Sequence, residues 1–415
     1  KENGCNAHVL SSLDDIAWLL NIRGNDIAYC PLVLSYAIVY NNSVELFADI
    51  RKFSDDIINL LAENQVKIYP YEDIYRKVSE MTSEDKLLLD SAIMNYSLYQ
   101  AISKETVIVD KQNPEILMKS VKNETQAENL RKAHLKDAVA HTKFMYWLKK
   151  NIGRVEITEL SASARLEGLR AEQEHFLGPS FGPISAYGEH GAIVHYSADE
   201  KSNVPLKEGK LFMTDTGGHY LEGSTDITRT VALGEVGNIE KEHFTLVARA
   251  MLRLANTVFL YGCSGANLDC IAREVFWKEG LNFNHGTGHG VGYLLNIHEG
   301  PINFRWKDGE RPAPALEENM VITDEPGIYI EGSHGIRLEN ELLVRKTVKN
   351  EYGQFMNFEI LTYVPIDLDA ILPEKMSTEE KEMLNHYHKQ VYEKVSPYLS
   401  EEERIWLKEY TRAVK

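Results

Sequence analysis

Five residues along the chain, Asp215 in TDTGGHY, Asp226 in STDITRT, His289 in HGTGHGVG, Glu325 in TDEPG and Glu339 in GIRLENELLV, supply four carboxylates and one imidazole. That donor set suits two divalent metal ions sharing bridging carboxylates, and such a pair activates water for hydrolysis. Oxygen-rich ligation with a single imidazole fits Mn²⁺, and Co²⁺, Zn²⁺ or Fe²⁺ can occupy the same ligands. Three more histidines lie close in sequence or character: His285 in HGTGHG, His298 in NIHEGP and His195 in AIVHYS. The glycines around His285 and His289 argue against a helical pair and for a loop or bulge that brings backbone close to a ligand. His195 and His298 each interrupt an apolar, strand-like run, where a hydrogen-bonded core histidine is the commoner occupant.

These groups need elements to position them. Residues 211–215 and 226–233 read as two strands joined through the Gly217-Gly218 turn region, a hairpin that brings Asp215 and Asp226 together. Two carboxylates held close repel unless a cation neutralises them, although an aspartate taken singly is more often a turn or cap residue. In GIRLENELLV, alternation puts Arg337, Glu339 and Glu341 on one face and Ile336, Leu338 and Asn340 on the other. Arg337 can then brace a carboxylate on its own face. Alternation does not choose between Glu339 and Glu341, and a solvated charged face explains either. Glu325 stands beside Pro326-Gly327, where a strand ends and its side chain can project into a cleft.

The rest of the chain sets the frame. At 415 residues, with 43% hydrophobic and 26% charged, it is too long for one ordinary core and fits two globular domains. Up to about residue 120, strand-like runs at 7–10, 26–29, 36–40, 44–47, 66–69, 86–90 and 107–109 alternate with helical stretches at 54–64 and 73–81, the pattern of a small α/β domain. Residues 121–152 begin a long amphipathic helix with Ala138, Phe144, Trp147 and Leu148 available for burial, which places a second domain at 121–415. Further helices are expected where Phe244, Val247, Met251, Leu254 and Val258 recur at steps of three and four, and where Leu268, Ile271 and Val275 follow the Ser264-Gly265-Ala266-Asn267 start. No glycine-rich phosphate loop or short repeat occurs, so nucleotide chemistry has no support. The net charge of −17 argues against nucleic acid or anionic membrane as a partner. Four cysteines without CxxC spacing predict neither a disulfide framework nor a thiolate metal site, and fit a reducing cytoplasm. No apolar run approaches the roughly 18 residues that span a bilayer, and no signal peptide is recognisable. Because the chain starts at Lys1 and opens almost directly on a strand, a fragment lacking its true N-terminus is expected.

In their order, the segments LDDIAWLLNIRG, AHLKDAVA, GAIVHYS, DTGGHYLEGSTDITRT, HGTGHGVGYLLNIHEGP, ITDEPGIY and GIRLENELLV, with the tail segments MLNHYHKQVYEKV and WLKEYT, carry a likeness that spans nearly all of the chain. The chain resembles the pita-bread metallopeptidases, and most closely the Xaa-Pro aminopeptidases (aminopeptidase P) of the larger, three-domain type. The resemblance implies an α/β domain followed by a pita-bread α+β catalytic domain with a C-terminal helical extension. It implies that Asp215 binds one metal, His289 and Glu325 the other, and that Asp226 and Glu339 bridge them. A water or hydroxide shared by the metals would attack the scissile carbonyl, with Glu325 as general base. His195, His285 and His298 would hold substrate and stabilise the tetrahedral intermediate, while Arg337 would orient the carboxylates. The implied substrates are peptides with proline in second position, the implied metal is Mn²⁺, and a homodimer is implied. The interval from His289 to His298, longer than in two-domain members, favours the three-domain type. A prolidase, acting only on dipeptides ending in proline, uses the same five ligand types and is the alternative. A non-catalytic pita-bread binding protein or a metal-free creatine-type hydrolase is disfavoured, because all five ligand positions are filled. A further N-terminal domain of the larger enzymes, and a helix ahead of the strand near Ala7, have no counterpart here.

Overall fold

The computed structural model describes residues 2–307, 309 and 312–415. It divides into two compact units, one up to residue 119 and one from residue 120 onward.

The first unit runs β1 (Ala7–Leu10), α1 (Leu13–Leu20), β2 (Ser35–Tyr40), β3 (Val44–Ala48), α2 (Asp55–Glu63), β4 (Val66–Tyr69), α3 (Asp73–Ser79), β5 (Lys86–Leu89), α4 (Tyr96–Ala101) and β6 (Val107–Asp110), with α5 (Pro114–Ser120) reaching the division. One sheet, in the order β4-β3-β2-β1-β5-β6, is antiparallel through β1, β2 and β3 and parallel elsewhere. Alternate residues of the short strands feed two apolar clusters: Val9, Ile38, Phe47 and Leu87 belong to one, and Leu10, Ala37 and Leu46 to the other. A sheet covered on both faces needs such near-continuous apolar runs. Helix starts follow capping chemistry, since the Ser54 and Asn95 side chains accept from the Ile57 and Leu98 amides. Residues 26–29, expected as a strand, form a tight turn instead. Ile27 bridges back to Cys30, Tyr29 takes a positive φ, and Asp26 is held by the Leu34 amide and the Lys52 ammonium. The local polar bonds and the following Pro31 outweigh a three-residue apolar signal.

The second unit continues with α6 (Glu124–Asn151), α7 (Glu159–Ala171), β7 (Phe176–Pro179), β8 (Ile184–Tyr187), a 3₁₀ turn at Gly188–Ala192, β9 (Lys210–Thr216), β10 (Gly218–Tyr220), β11 (Gly223–Ser224), β12 (Ile227–Leu233), α8 (Asn238–Ala255), β13 (Phe259–Leu260), α9 (Gly265–Trp277), β14 (Gly288–Gly290) and β15 (Glu299–Phe304). After these come β16 (Val321–Asp324), β17 (Gly327–Ile330), β18 (His334–Arg337), β19 (Asn340–Asn350), β20 (Gly353–Ile360), α10 (Thr378–Val395) and α11 (Glu401–Tyr410). A six-stranded sheet, β13-β20-β19-β16-β14-β15, and a three-stranded one, β12-β9-β8, form the frame of the unit, and two smaller sheets pair β17 with β18 and β10 with β7 and β11. One core joins Phe144 and Leu148 of α6, Phe212 of β9, Val231 of β12, Phe244, Val247 and Met251 of α8, and Ile322 and Leu342 of β16 and β19. Val258, expected on α8, lies beyond its end and is exposed. The helix stops where the Asn256 side chain turns back onto the Leu252 carbonyl. Among the described residues no helix is long and apolar enough to cross a membrane.

Candidate active site

β9 and β12 pair antiparallel with Thr228 opposite Asp215, so Asp215 and Asp226 reach the same end of the ladder. The reversal between them is not at Gly217-Gly218 as expected: the chain first makes the small β10–β11 hairpin. Gly217 is instead a point of close approach, because a Cβ there would sit 1.8 Å from the Thr225 carbonyl oxygen. The segment read as one strand around Glu339 is two, since β18 ends at Arg337 and β19 begins at Asn340. Glu339 falls in the gap, tied by its amide to the Thr228 carbonyl. His289 lies in β14 at a register shift against β15, the bulge expected from its glycines. Glu325 follows β16 directly, with its amide bonded to the Thr287 carbonyl.

These elements bring Asp215, Asp226, His289, Glu325 and Glu339 into one cleft of about 390 Å³, together with Arg337, His195, His285 and His298. Ligand atoms of Asp215, Asp226 and Glu339 lie within 4.8 Å of one another, as do those of His289, Glu325 and Glu339. Glu339 is common to both groups, and Asp226, His289 and His298 form a third within the same distance. His289 Nε2 stands 3.5 Å from Asp226 Oδ2 and 3.7 Å from Glu325 Oε1. Its Nδ1 is 2.9 Å from the Gly290 carbonyl, which fixes the tautomer and leaves the Nε2 lone pair facing the carboxylates.

The electrostatics call for a cation. Burial, then repulsion from Asp215 and Glu325, drives the Asp226 carboxyl well above the usual range. Burial, then Asp226, does the same to Glu339, and burial raises Glu325. One counter-charge, Arg337, is committed to Asp215, with Nη2 at 2.5 Å and Nε at 3.2 Å from Oδ2. The other oxygen of Asp215 is buried and has no hydrogen-bond partner among the described residues. An orphaned carboxylate oxygen beside crowded acids fits divalent metal ions, which neutralise repulsion and fill the unused lone pairs.

Glu341, which alternation left level with Glu339, is neither solvated nor in the cleft. It is fully buried, accepts from the Asp226 amide at 2.7 Å, and has its second oxygen 3.1 Å from His134 Nε2. His195 and His298 lie outside regular strands, His195 in a turn after the 3₁₀ segment and His298 in a bend before β15. Both line the cleft. The His298 ring stands edge-on to His289 with centroids 4.3 Å apart, and burial lowers its pKa to about 4. His285 has both ring nitrogens engaged, Nδ1 with the Gly286 carbonyl at 2.7 Å and Nε2 with the Tyr329 hydroxyl at 2.8 Å. Burial holds its pKa down at about 3, so it is a neutral, positioned imidazole.

Sequence reasoning missed Tyr329, which receives Arg337 Nη1 at 2.8 Å and so joins Arg337 to His285. It also missed Thr228, whose hydroxyl donates to Glu339 at 2.8 Å, and the buried Asp137–Arg170 pair, which ties α6 to α7 and, through Thr225, to the approach to Asp226. The position of Tyr329 on the strand just after Pro326-Gly327 was the only signal for it.

Family models match three stretches: "Metallopeptidase family M24" over residues 128–346, "Creatinase/Prolidase N-terminal domain" over 1–126, and "C-terminal region of peptidase_M24" over 354–414. Aminopeptidase P1 of Arabidopsis thaliana is 34% identical over 464 residues, covering 100% of this chain and 72% of the relative. An X-prolyl aminopeptidase from Caenorhabditis elegans, described as a cytosolic enzyme with a di-nuclear active site, superposes with a TM-score of 0.93 at 34% identity, over 100% of this chain and 69% of the other. An Xaa-Pro dipeptidase from Bacillus anthracis superposes with a TM-score of 0.67 at 25% identity, over 88% and 95%. The chain belongs to metallopeptidase family M24, with the pita-bread fold preceded by a smaller N-terminal domain.

Proposed function

We propose that this chain is a metallo-aminopeptidase that releases the N-terminal residue from peptides with proline in second position. The observation that carries the reading is the convergence of Asp215, Asp226, His289, Glu325 and Glu339 in overlapping ligand groups, two of which share Glu339. Similarity to the Arabidopsis and Caenorhabditis aminopeptidases over the whole chain supports this specificity over the dipeptidase alternative.

By this reading Asp215 would hold one divalent ion and His289 and Glu325 the other, with Asp226 and Glu339 available to both. When bound, such ions supply Lewis acidity and lower the pKa of water. Glu325, raised by burial, has one oxygen 3.4 Å from the Thr323 hydroxyl and can accept a proton at the other as general base. His195 and His298 face the cleft and are placed to donate to the oxyanion that develops on the scissile carbonyl. His285 positions rather than donates, completing the Arg337–Tyr329–His285 chain that holds Asp215 in place. Oxygen-rich ligation favours Mn²⁺. Four free cysteines, and a relative described as cytosolic, support a cytoplasmic enzyme. A homodimer is part of the same reading. The first unit corresponds in this reading to the middle domain of three-domain relatives.

The test is hydrolysis of Arg-Pro-Pro, Arg-Ala-Ala and Ala-Pro after EDTA treatment and addition of Mn²⁺, Co²⁺ or Zn²⁺ in turn. Release of Arg from Arg-Pro-Pro but not from Arg-Ala-Ala, highest with Mn²⁺, is expected. Cleavage confined to Ala-Pro would instead make the enzyme a prolidase.

A further inference from the structure

Among the cleft's histidines, His195 has the least side-chain support. His285 has both ring nitrogens engaged, His289 has Nδ1 on the Gly290 carbonyl, and His298 packs edge-on to His289. His195 is exposed, and its ring has no hydrogen-bond partner among the described residues. The place of that ring is therefore set by the backbone that carries it, the loop between β8 and β9.

One carboxylate gathers this loop from behind. Glu159 opens α7, where an acidic side chain ordinarily faces water and favours the helix N-terminus, yet it is fully buried. Capping does not account for it, because the Thr158 and Ser161 side chains already cap the helix. Its Oε1 accepts from the Tyr187 amide at 2.8 Å and lies 2.9 Å from His190 Nδ1. Its Oε2 accepts from the Tyr196 hydroxyl at 3.0 Å and lies 3.4 Å from the Val204 amide. A buried carboxylate is tolerated only with its lone pairs filled, and each donor that fills them here fixes a point of the loop, on both sides of His195. The His190 and Tyr196 rings stack with centroids 4.5 Å apart, which ties the two stretches to each other. On the cleft side, Arg337 Nη2 reaches the Val194 carbonyl at 3.3 Å. Both chain neighbours of His195 are thus held, Val194 by Arg337 and Tyr196 by Glu159.

We infer that Glu159 is a positioning residue for His195, holding the imidazole over the cleft through Tyr196 and the two ends of the loop. The inference rests on the aminopeptidase reading above, in which His195 donates to the developing oxyanion. A donor misplaced by a fraction of an ångström is weakened where charge develops, in the transition state, so the loss falls on kcat and not on KM. The test is a pair of double-mutant cycles: Glu159→Gln and Tyr196→Phe, each alone and combined with His195→Ala, assayed on Arg-Pro-Pro below the Tm of every variant. Glu159→Gln keeps one acceptor oxygen and replaces the other with a donor. Tyr196→Phe keeps the stacked ring and removes the hydroxyl alone, so its cycle decides the matter if the first variant does not fold. Glu159→Gln should lower kcat about 10-fold and Tyr196→Phe about 3-fold, with KM within about twofold of the wild type and bound metal unchanged. In the His195→Ala background each should cost less than about twofold, because the group they position is gone. Equal losses of kcat in the two backgrounds, or no loss in either single variant, overturn the positioning role while the aminopeptidase reading stands. Wild-type kcat in His195→Ala overturns the donor role of His195 and the inference with it, and no hydrolysis of Arg-Pro-Pro by the wild type overturns the aminopeptidase reading as well.

Discussion

On the proposed reading Glu325 serves both as a metal ligand and as the general base, and that makes it the residue whose loss separates this site from a structural ion site. It stands 3.7 Å from His289 Nε2, within the group that includes Glu339. On that reading Glu325→Ala removes a ligand and the general base together. Turnover of Arg-Pro-Pro should fall by about 10³-fold or more, and bound metal by about one ion per chain in elemental analysis. Cys263→Ser, outside the cleft, should leave both unchanged. Substantial turnover in the alanine variant would sink the assignment of the base. At this scale the sequence was legible in residue type and order, since every expected ligand reaches the cleft. It was not legible in choosing Glu339 over Glu341, because both share a face and both are buried. What separates them is the partner each meets more than 100 positions away in sequence: Thr228 for one and the Asp226 amide for the other. Tyr329 was invisible for the same reason, its role being defined by Arg337 and His285 and not by its neighbours in the chain.

Elements were readable where one period held over a whole buried run, as in β2, β9, β12 and α8, and lost where the backbone breaks to deliver a side chain. The gap at Leu338-Glu339 is such a break, and so is the β10–β11 hairpin inserted between the two aspartates. Alternation assumes a continuous strand, so it has no means of marking either. Close backbone crossings are equally silent in periodicity. Gly335 of β18 meets the 3₁₀ segment so tightly that an added Cβ would sit 1.6 Å from the Gly191 oxygen and 2.0 Å from its carbon. Both sides of that contact are backbone, so a side chain cannot swing aside and the strand itself must move, two residues before Arg337. Gly335→Ala should therefore cost about 2 kcal/mol or more, lowering Tm by several degrees. It should also depress kcat/KM as Arg337 loses its hold on Asp215. Gly168→Ala in α7, where nothing lies within 4 Å of an added Cβ, should be neutral or raise Tm slightly. Thermal melts of the two variants side by side check this, and equal Tm values would show that β18 yields without cost.

The second unit holds buried Asp226 and Glu339 beside half-buried Glu325 on the wall of one cleft, which couples folding to metal and to pH. Asp226, Glu325 and Glu339 all have carboxyls pushed up, first by burial and then by their charged neighbours. Unfolding would return them to the ordinary range near about pH 4. Between that range and the raised values, the metal-free folded protein binds more protons than the unfolded chain, so its stability falls as pH rises through the raised pKa values. Metal binding requires the same carboxylates deprotonated, and its contribution grows with pH in that window. At free metal about 100 times Kd the gain is about 2.7 kcal/mol. The difference in Tm between Mn²⁺-loaded and EDTA-treated protein should therefore widen from about pH 5.5 to about pH 8. A gap that stays constant or narrows with pH, measured by calorimetry at matched ionic strength, would mean that these carboxylates are not what the metal discharges.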